Sequence, residues 1–86
     1  MFPTPLPKGY TIYSKTNCPS CDKSKKLLPQ ATIIKCDDYL DDADAFLDFI
    51  WAQGANATKF PMIFLDGTYI GGYSELSKQF NTMVEF

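Results

Sequence analysis

The 86-residue sequence predicts an α/β fold, a small mixed sheet of four strands with three helices packed on both faces. Three observations carry that expectation. Strand-like and helix-like segments follow one another in the order β-α-β and then α-β-β-α, and a right-handed crossover makes the first two strands parallel. Residues 31–35, with Thr32, Ile33 and Ile34 in sequence, have the uninterrupted character of a short buried strand in a parallel sheet. Asp66-Gly67 between two strand-like runs is a two-residue hairpin signal, which makes the last two strands antiparallel.

Each element has a local reason. Residues 1–8 carry Pro3, Pro5 and Pro7, which lack backbone donors and favour extended conformations, so this segment reads as an ordered arm with little chemistry of its own. Residues 9–14 alternate Tyr10 and Ile12 with Thr11 and Tyr13, a first strand that ends in the polar run Ser14-Lys15-Thr16-Asn17. Pro19 suits the first position of a helix over 19–28, because its φ is already helical and its missing N–H would have had no partner. Lys25 and Lys26 then complement the negative end of the macrodipole, and Pro29 stops the helix. Cys36 closes the strand at 31–35. Asp37, Asp38, Asp41, Asp42 and Asp44 crowd the approach to a second helix over 43–53, where negative charge suits the helix start. Phe46, Phe49, Ile50 and Gln53 recur there at helical spacing until Gly54. Phe60-Pro61 leads into a strand at 62–65, its hairpin partner is 68–70, and Gly71-Gly72 ends it. A closing helix over 73–84 turns Leu76 and Phe80 inward.

Bulk properties narrow the function. A chain of 86 residues has room for one domain, 1–86, with one core and one site, and a 15% aromatic share supplies bulky filling for it. Net charge is −2, and the eight lysines form no long basic face with interleaved aromatics, so nucleic acid is not an expected partner. No apolar run approaches the roughly 20 residues of a membrane span. Residues 1–6 lack the charged start and apolar middle of a secretory signal, and a cytoplasmic protein is expected. Three cysteines cannot close a disulfide framework, and C-x-x-C in a cytosolic setting points to redox work or to metal. With no histidine, catalysis by imidazole is excluded.

The central constellation is Cys18-Pro19-Ser20-Cys21. At that offset both sulfurs share one helix face, and the N–H groups of the first turn point toward Cys18. Those donors, the macrodipole and Lys15 three residues upstream favour a thiolate, making Cys18 the expected nucleophile and Cys21 the resolving thiol. Lowering a thiol pKa from ~8.5 to ~5 raises its ionised fraction at pH 7 by roughly 30-fold. Nucleophilicity per thiolate falls by on the order of 40-fold over the same span, so attack gains almost nothing and departure from a mixed disulfide gains most. Two other readings of the pair stand beside this one. Structural zinc wants four Cys or His ligands, for which the chain offers the pair and a distant Cys36; an inert buried pair would not need a proline at a helix start. Cys36 itself reads as a buried strand-end thiol.

Two further segments draw notice. About 5–6% of X-Pro bonds are cis in folded proteins, so Phe60-Pro61 taken alone reads as a trans proline leading into a strand. Gly71-Gly72-Tyr73-Ser74-Glu75 reads either as a turn whose glycines admit a ligand and whose helix start offers N–H donors to an anion, or as an ordinary cap with Ser74 satisfying the first turn.

Together these segments resemble the glutaredoxins over nearly the whole chain from Tyr10 to Phe80. Ser14-Lys15-Thr16-Asn17-Cys18-Pro19-Ser20-Cys21 is similar to the active-site segment of that family, Phe60-Pro61 to its cis-proline turn, and Gly71-Gly72-Tyr73-Ser74-Glu75 to its Gly-Gly motif. The resemblance implies a thioredoxin-like, glutaredoxin-type sheet of strand order 2-1-3-4 and a cis Pro61. It implies a glutathione-disulfide oxidoreductase with glutathione as reducing co-substrate, acting on protein disulfides and glutathione mixed disulfides. Its glutathione-binding residues would be Lys15, Ser20, Lys59, Phe60, Pro61, Gly72, Tyr73, Ser74 and Glu75. Lys15 would face the glycyl carboxylate, Phe60 would offer backbone bonds to the cysteinyl part, and Ser74 with Glu75 would hold the γ-glutamyl end. No metal is expected, a monomer is the expected state, and ribonucleotide reductase is a family-level candidate partner that no residue singles out. The chain departs from the family pattern at Ser20, where tyrosine is frequent, at Thr58-Lys59-Phe60 before the proline, and in the length of helix two. Two alternatives remain: a thioredoxin-like redoxin reduced by a flavoprotein reductase, disfavoured by the Gly-Gly turn and Lys15, and a glutathione-ligated iron–sulfur carrier, disfavoured by the stiffness of Pro19.

Overall fold

Alternation along two strands sorts the core into two halves. The structure, a computed structural model, describes residues 2–84, with side chains described to Phe80; Met1 of the proline-rich arm lies outside them. Strand β1 (Tyr10–Ser14) pairs in parallel with β2 (Thr32–Lys35) and antiparallel with β3 (Met62–Leu65), which pairs antiparallel with β4 (Thr68–Gly71). The sheet order is therefore β2-β1-β3-β4, as the resemblance implies. On one face Tyr13, Met62 and Phe64 pack with Phe46 and Ile50 of α2 (Ala43–Ala52). On the other, Ile12 and Ile63 pack with Leu28, just after α1 (Pro19–Leu27), and with Leu76 of α3 (Tyr73–Val84). Side chains of successive strand residues point to opposite faces, so β1 and β3, central in the sheet, are buried on both.

Burying each large apolar side chain contributes about 1.5–3 kcal/mol, and the aromatic half of the core does more than add area. Phe46 stacks on Tyr39 and on Phe60, with ring centroids 5.8 and 5.9 Å apart, and meets Phe2 edge-on at 5.3 Å. Phe2 belongs to the N-terminal arm, which is tied down further. Tyr13 donates its hydroxyl to the Pro3 carbonyl at 2.6 Å, and the Leu6 N–H donates to Thr11 Oγ1 at 3.1 Å. Burial raises the Tyr13 phenol above its ordinary range.

Two expectations from sequence are corrected and one is refined. The strand at 31–35 is not fully buried: β2 lies at the sheet edge, Thr32 and Lys35 are exposed, and Ile33 and Ile34 are half-buried. The aspartate-rich approach to helix two is itself ordered as a 3₁₀ helix (Asp37–Asp42), and Asp42 caps α2 by accepting the Ala45 N–H at 3.2 Å. Gln53 falls just beyond α2 as its C-cap rather than on its inward face. At the hairpin, Asp66 and Gly67 both have positive φ, 53° and 83°, the backbone that a tight two-residue turn between twisted strands requires.

Candidate active site

The site begins where β1 runs out. Asn17 adopts φ 55°, a left-handed conformation that asparagine tolerates, and this turns the chain into α1. Thr16 donates both its N–H and its hydroxyl to Asp37 Oδ1, at 2.9 and 2.8 Å. The two bonds fasten the loop before Cys18 to the first residue of the 3₁₀ helix. They also hold the Asp37 carboxyl below its usual range, the Thr16 N–H most and its hydroxyl next, with Lys35 adding a smaller attraction.

Cys18 is the N-cap of α1. Its backbone is extended (φ −126°, ψ 93°), Pro19 follows at the first helical position, and Cys18 Sγ accepts the Cys21 N–H at 3.1 Å. A disulfide joins Cys18 and Cys21, whose Cα atoms are 5.2 Å apart. The two sulfurs are not equivalent. Cys18 keeps 7% of its surface open and lines a groove, whereas Cys21 is fully buried. An incoming thiol therefore reaches Cys18 alone.

The other two segments converge on this point. The Phe60-Pro61 bond is cis, against the expectation from the residues alone and with that from the resemblance. Phe60 is half-buried and fixed by its stacking on Phe46. Gly72 lies behind the proline, so close that a Cβ there would sit 3.3 Å from the Pro61 carbonyl oxygen. The cap of α3 is Glu75 rather than Ser74: Glu75 Oε1 accepts the Gly72 N–H at 2.8 Å, the N3-to-N-cap bond of a capping box. Gly71 makes room for it, with φ 125° and a would-be Cβ only 2.5 Å from Glu75 Cγ. Tyr73 lies under Lys23 of α1, whose ammonium is 5.7 Å from the ring centroid, which braces α3 against α1.

Two adjoining depressions make the groove. One, of about 490 Å³, is lined by Lys15, Asn17, Cys18, Pro19, Ser20, Leu40, Thr58, Lys59 and Phe60. The other, of about 370 Å³, is lined by Ser20, Thr58, Lys59, Phe60, Pro61, Gly72, Tyr73, Ser74 and Glu75 together with Asn56, Ala57 and Tyr69. They share Ser20, Thr58, Lys59 and Phe60 and so form one path past Cys18. Every site residue expected from sequence lines it except the buried Cys21. The sequence reading missed Leu40, Thr58 and the Thr16–Asp37 fastening. Asp37 was indistinguishable in sequence from its acidic neighbours, and Leu40 carried no periodic signal.

Chemically, the Cys18 end of this groove presents two ammonium groups, Lys15 and Lys59, beside a sulfur at a helix start. Such a site can exchange an incoming thiol with the disulfide. Cys36 lies apart, free and buried, its thiol pushed up to about 12 chiefly by burial. Among the described residues no group of three His, Cys, Asp or Glu side chains is arranged to hold a metal ion.

Comparison with known proteins agrees with this geometry. A sequence model of the glutaredoxin family matches residues 10–70. A glutaredoxin from Neisseria meningitidis serogroup A is 32% identical over 68 residues, covering 77% of this chain and 78% of the relative. Glutaredoxin 1 from Francisella tularensis, crystallised with cacodylate, superposes with a TM-score of 0.74 at 25% identity, over 91% of this chain and 98% of that one. A buckwheat glutaredoxin–glutathione complex shares the fold, with a TM-score of 0.67 at 24% identity over 85% and 68% of the two chains.

Proposed function

The chain belongs to the glutaredoxin family and is a thiol–disulfide oxidoreductase, and on that premise we propose that it is a glutathione-dependent one. A single observation carries the reading: the one reachable sulfur of the pair lies at a helix N-terminus, in a groove whose charged side chains at that end are Lys15 and Lys59. Glutathione is an anionic thiol of suitable size, and the buckwheat protein that shares this fold holds it.

In the proposed cycle the reduced Cys18 thiolate attacks a substrate disulfide R–S–S–R′. The substrate S–S bond breaks, a Cys18–S–S–R bond forms, and R′–S⁻ leaves and takes up a proton. Cys21 then loses its proton and attacks Cys18, releasing R–SH and closing the Cys18–Cys21 disulfide; the dithiol has been oxidised and the substrate reduced by two electrons. Two molecules of glutathione restore it, the first forming a mixed disulfide at Cys18 and the second leaving as oxidised glutathione. Lys15 faces the glycyl carboxylate, the Phe60 backbone bonds the cysteinyl part, and Ser74 with the first turn of α3 receives the γ-glutamyl carboxylate. Glu75 accepts the Gly72 N–H through one oxygen and faces the γ-glutamyl ammonium with its other.

The test is steady-state turnover of a small glutathione mixed disulfide, coupled through glutathione reductase to NADPH oxidation. Cys18→Ser abolishes turnover, whereas Cys21→Ser keeps removal of glutathione and loses reduction of protein disulfides. Turnover of the mixed disulfide by the Cys18→Ser protein would refute the mechanism. No NADPH oxidation by the wild-type protein would favour a redoxin served by a flavoprotein reductase.

A further inference from the structure

We propose that the 3₁₀ helix Asp37–Asp42 is the docking rim for polypeptide substrates, fitted to a cysteine flanked by an aliphatic side chain and by lysine or arginine. The proposal rests on the thiol–disulfide exchange at Cys18 argued above. It concerns what the rest of a protein substrate touches.

Tyr39 turns into the core, edge-on to Phe2 at 5.2 Å and stacked on Phe46. Successive residues of a 3₁₀ helix lie a third of a turn apart, so with Tyr39 inward Leu40 faces out. It is 39% exposed, and it lines the same depression as Cys18 and Phe60. A large aliphatic side chain at the lip of a reactive groove gains from any apolar group seated against it. Glutathione has no aliphatic side chain to offer; a polypeptide does.

Charge supplies the second half. The stretch from Cys36 to Thr58 contains six aspartates and no lysine or arginine, while the groove beside it carries Lys15 and Lys59. Asp37 is engaged by Thr16 and Asp42 caps α2, which leaves exposed Asp38 and Asp41 on either side of Leu40 to meet a partner. The Thr16–Asp37 bonds hold this rim in fixed relation to the loop that presents Cys18. Cationic groove and anionic rim thus select different things: an anionic small thiol inside, a basic polypeptide across the edge.

The test uses single-turnover oxidation of the fully reduced protein, which needs no glutathione. Substrates are peptides with one cysteine capped as its disulfide with 2-mercaptoethanol, so reduction yields peptide thiol, 2-mercaptoethanol and the Cys18–Cys21 disulfide. Acid-quenched, alkylated samples are read by mass spectrometry. At low salt, a peptide with leucine beside its cysteine and lysines beyond is expected to react about tenfold faster than its glutamate counterpart, the gap closing as salt screens it. Asp38→Asn/Asp41→Asn shrinks that gap to about twofold and leaves oxidised 2-mercaptoethanol reacting at the wild-type rate. Leu40→Ser removes the advantage, about threefold, of leucine over serine in the peptide. Equal rates for the basic and acidic peptides, or preferences unchanged in both variants, overturn the proposal. So does a wild-type dimer in sedimentation that Leu40→Ser dissociates, since the rim would then be a self-association face. Loss of peptide preference with glutathione-coupled turnover intact removes the docking rim alone; intact preference without glutathione turnover removes the glutathione reading alone.

Discussion

Of the three thiols in the reduced protein, Cys36 should be the one that a soluble alkylating reagent does not find. Its side chain is fully buried at the end of β2, its S–H donates to the Ile34 carbonyl at 3.4 Å, and its pKa is pushed up to about 12 by burial, with a smaller push from Asp37. At pH 7 that leaves about 10⁻⁵ of it as thiolate, against about 3% for an ordinary free cysteine, a deficit of roughly 3,000-fold. The more basic thiolate recovers about 40-fold in nucleophilicity, so the net disadvantage is roughly 80-fold before access is counted. Iodoacetamide treatment of the reduced, native protein at pH 7, followed by intact-mass and fragment analysis, should give one early adduct, on Cys18. Cys36 should label at the speed of a free cysteine only after denaturant is added. Native-state labelling of Cys36 within about tenfold of a cysteine peptide would refute both the burial and the ionisation argument.

Other perturbations separate backbone from charge. Gly71→Ala forces a Cβ against Glu75 Cγ at a φ of 125° and should lower stability by about 1–3 kcal/mol in urea unfolding. Gly9→Ala, at φ 80° with nothing within 4 Å of the added atom, should cost about 1 kcal/mol; equal losses would mean that crowding by Glu75 contributes nothing. Because the folded-state pKa of Asp37 is depressed, its contribution is present above the ordinary carboxylate range and is lost as pH falls through the folded value. Thermal melts from pH 7 to 3 should thus fall more steeply for wild type than for Asp37→Asn, and parallel curves would dismiss the Thr16 fastening. Cys36 works in the opposite direction. With its folded pKa raised to about 12, the native state holds a proton that the unfolded chain releases, so stability should decline as pH climbs above the ordinary thiol range. Urea midpoints between pH 8 and 10.5 should decline less for Cys36→Ala, and equal slopes would assign the alkaline loss to Tyr13 and other groups.

The sequence disclosed the site where its signals were local. Pro19 after Cys18 marked a helix start within one residue, Asp66-Gly67 marked the hairpin, and the paired glycines marked the turn into α3. Those features follow from φ restrictions and missing donors within a few residues. What stayed hidden depends on neighbours far along the chain. That the strand at 31–35 leaves Thr32 and Lys35 exposed was not readable from its composition, although the order 2-1-3-4 implied by the resemblance already put it at the sheet edge. Asp37 differs from Asp38 only because Thr16, 21 residues earlier, lies opposite it. The outward Leu40 follows from Tyr39 having a place against Phe2 and Phe46. The sequence offers Ser74 as the cap of α3, and the room left by Gly71 gives that place to Glu75.

Cys18 is both the reacting atom and the cap of α1, and that coincidence bears on the direction of electron flow. In the disulfide its sulfur accepts the Cys21 N–H at 3.1 Å as a weak, neutral acceptor. In the proposed cycle the reduced sulfur is an anion facing the same N–H, and a charge-assisted bond replaces the weak one. An N-cap contributes about 0.5–2 kcal/mol and the macrodipole a further 0.3–1 kcal/mol. Whatever stabilises the reduced form raises the potential, and at 30 mV per 1.4 kcal/mol these contributions amount to about 20–60 mV. Lys15 acts in the same sense. The arrangement that makes Cys18 a good leaving group therefore also makes the oxidised pair easier to reduce. Such a poise suits the proposed glutathione-dependent cycle, in which a monothiol supplies the electrons and mixed or exposed disulfides receive them.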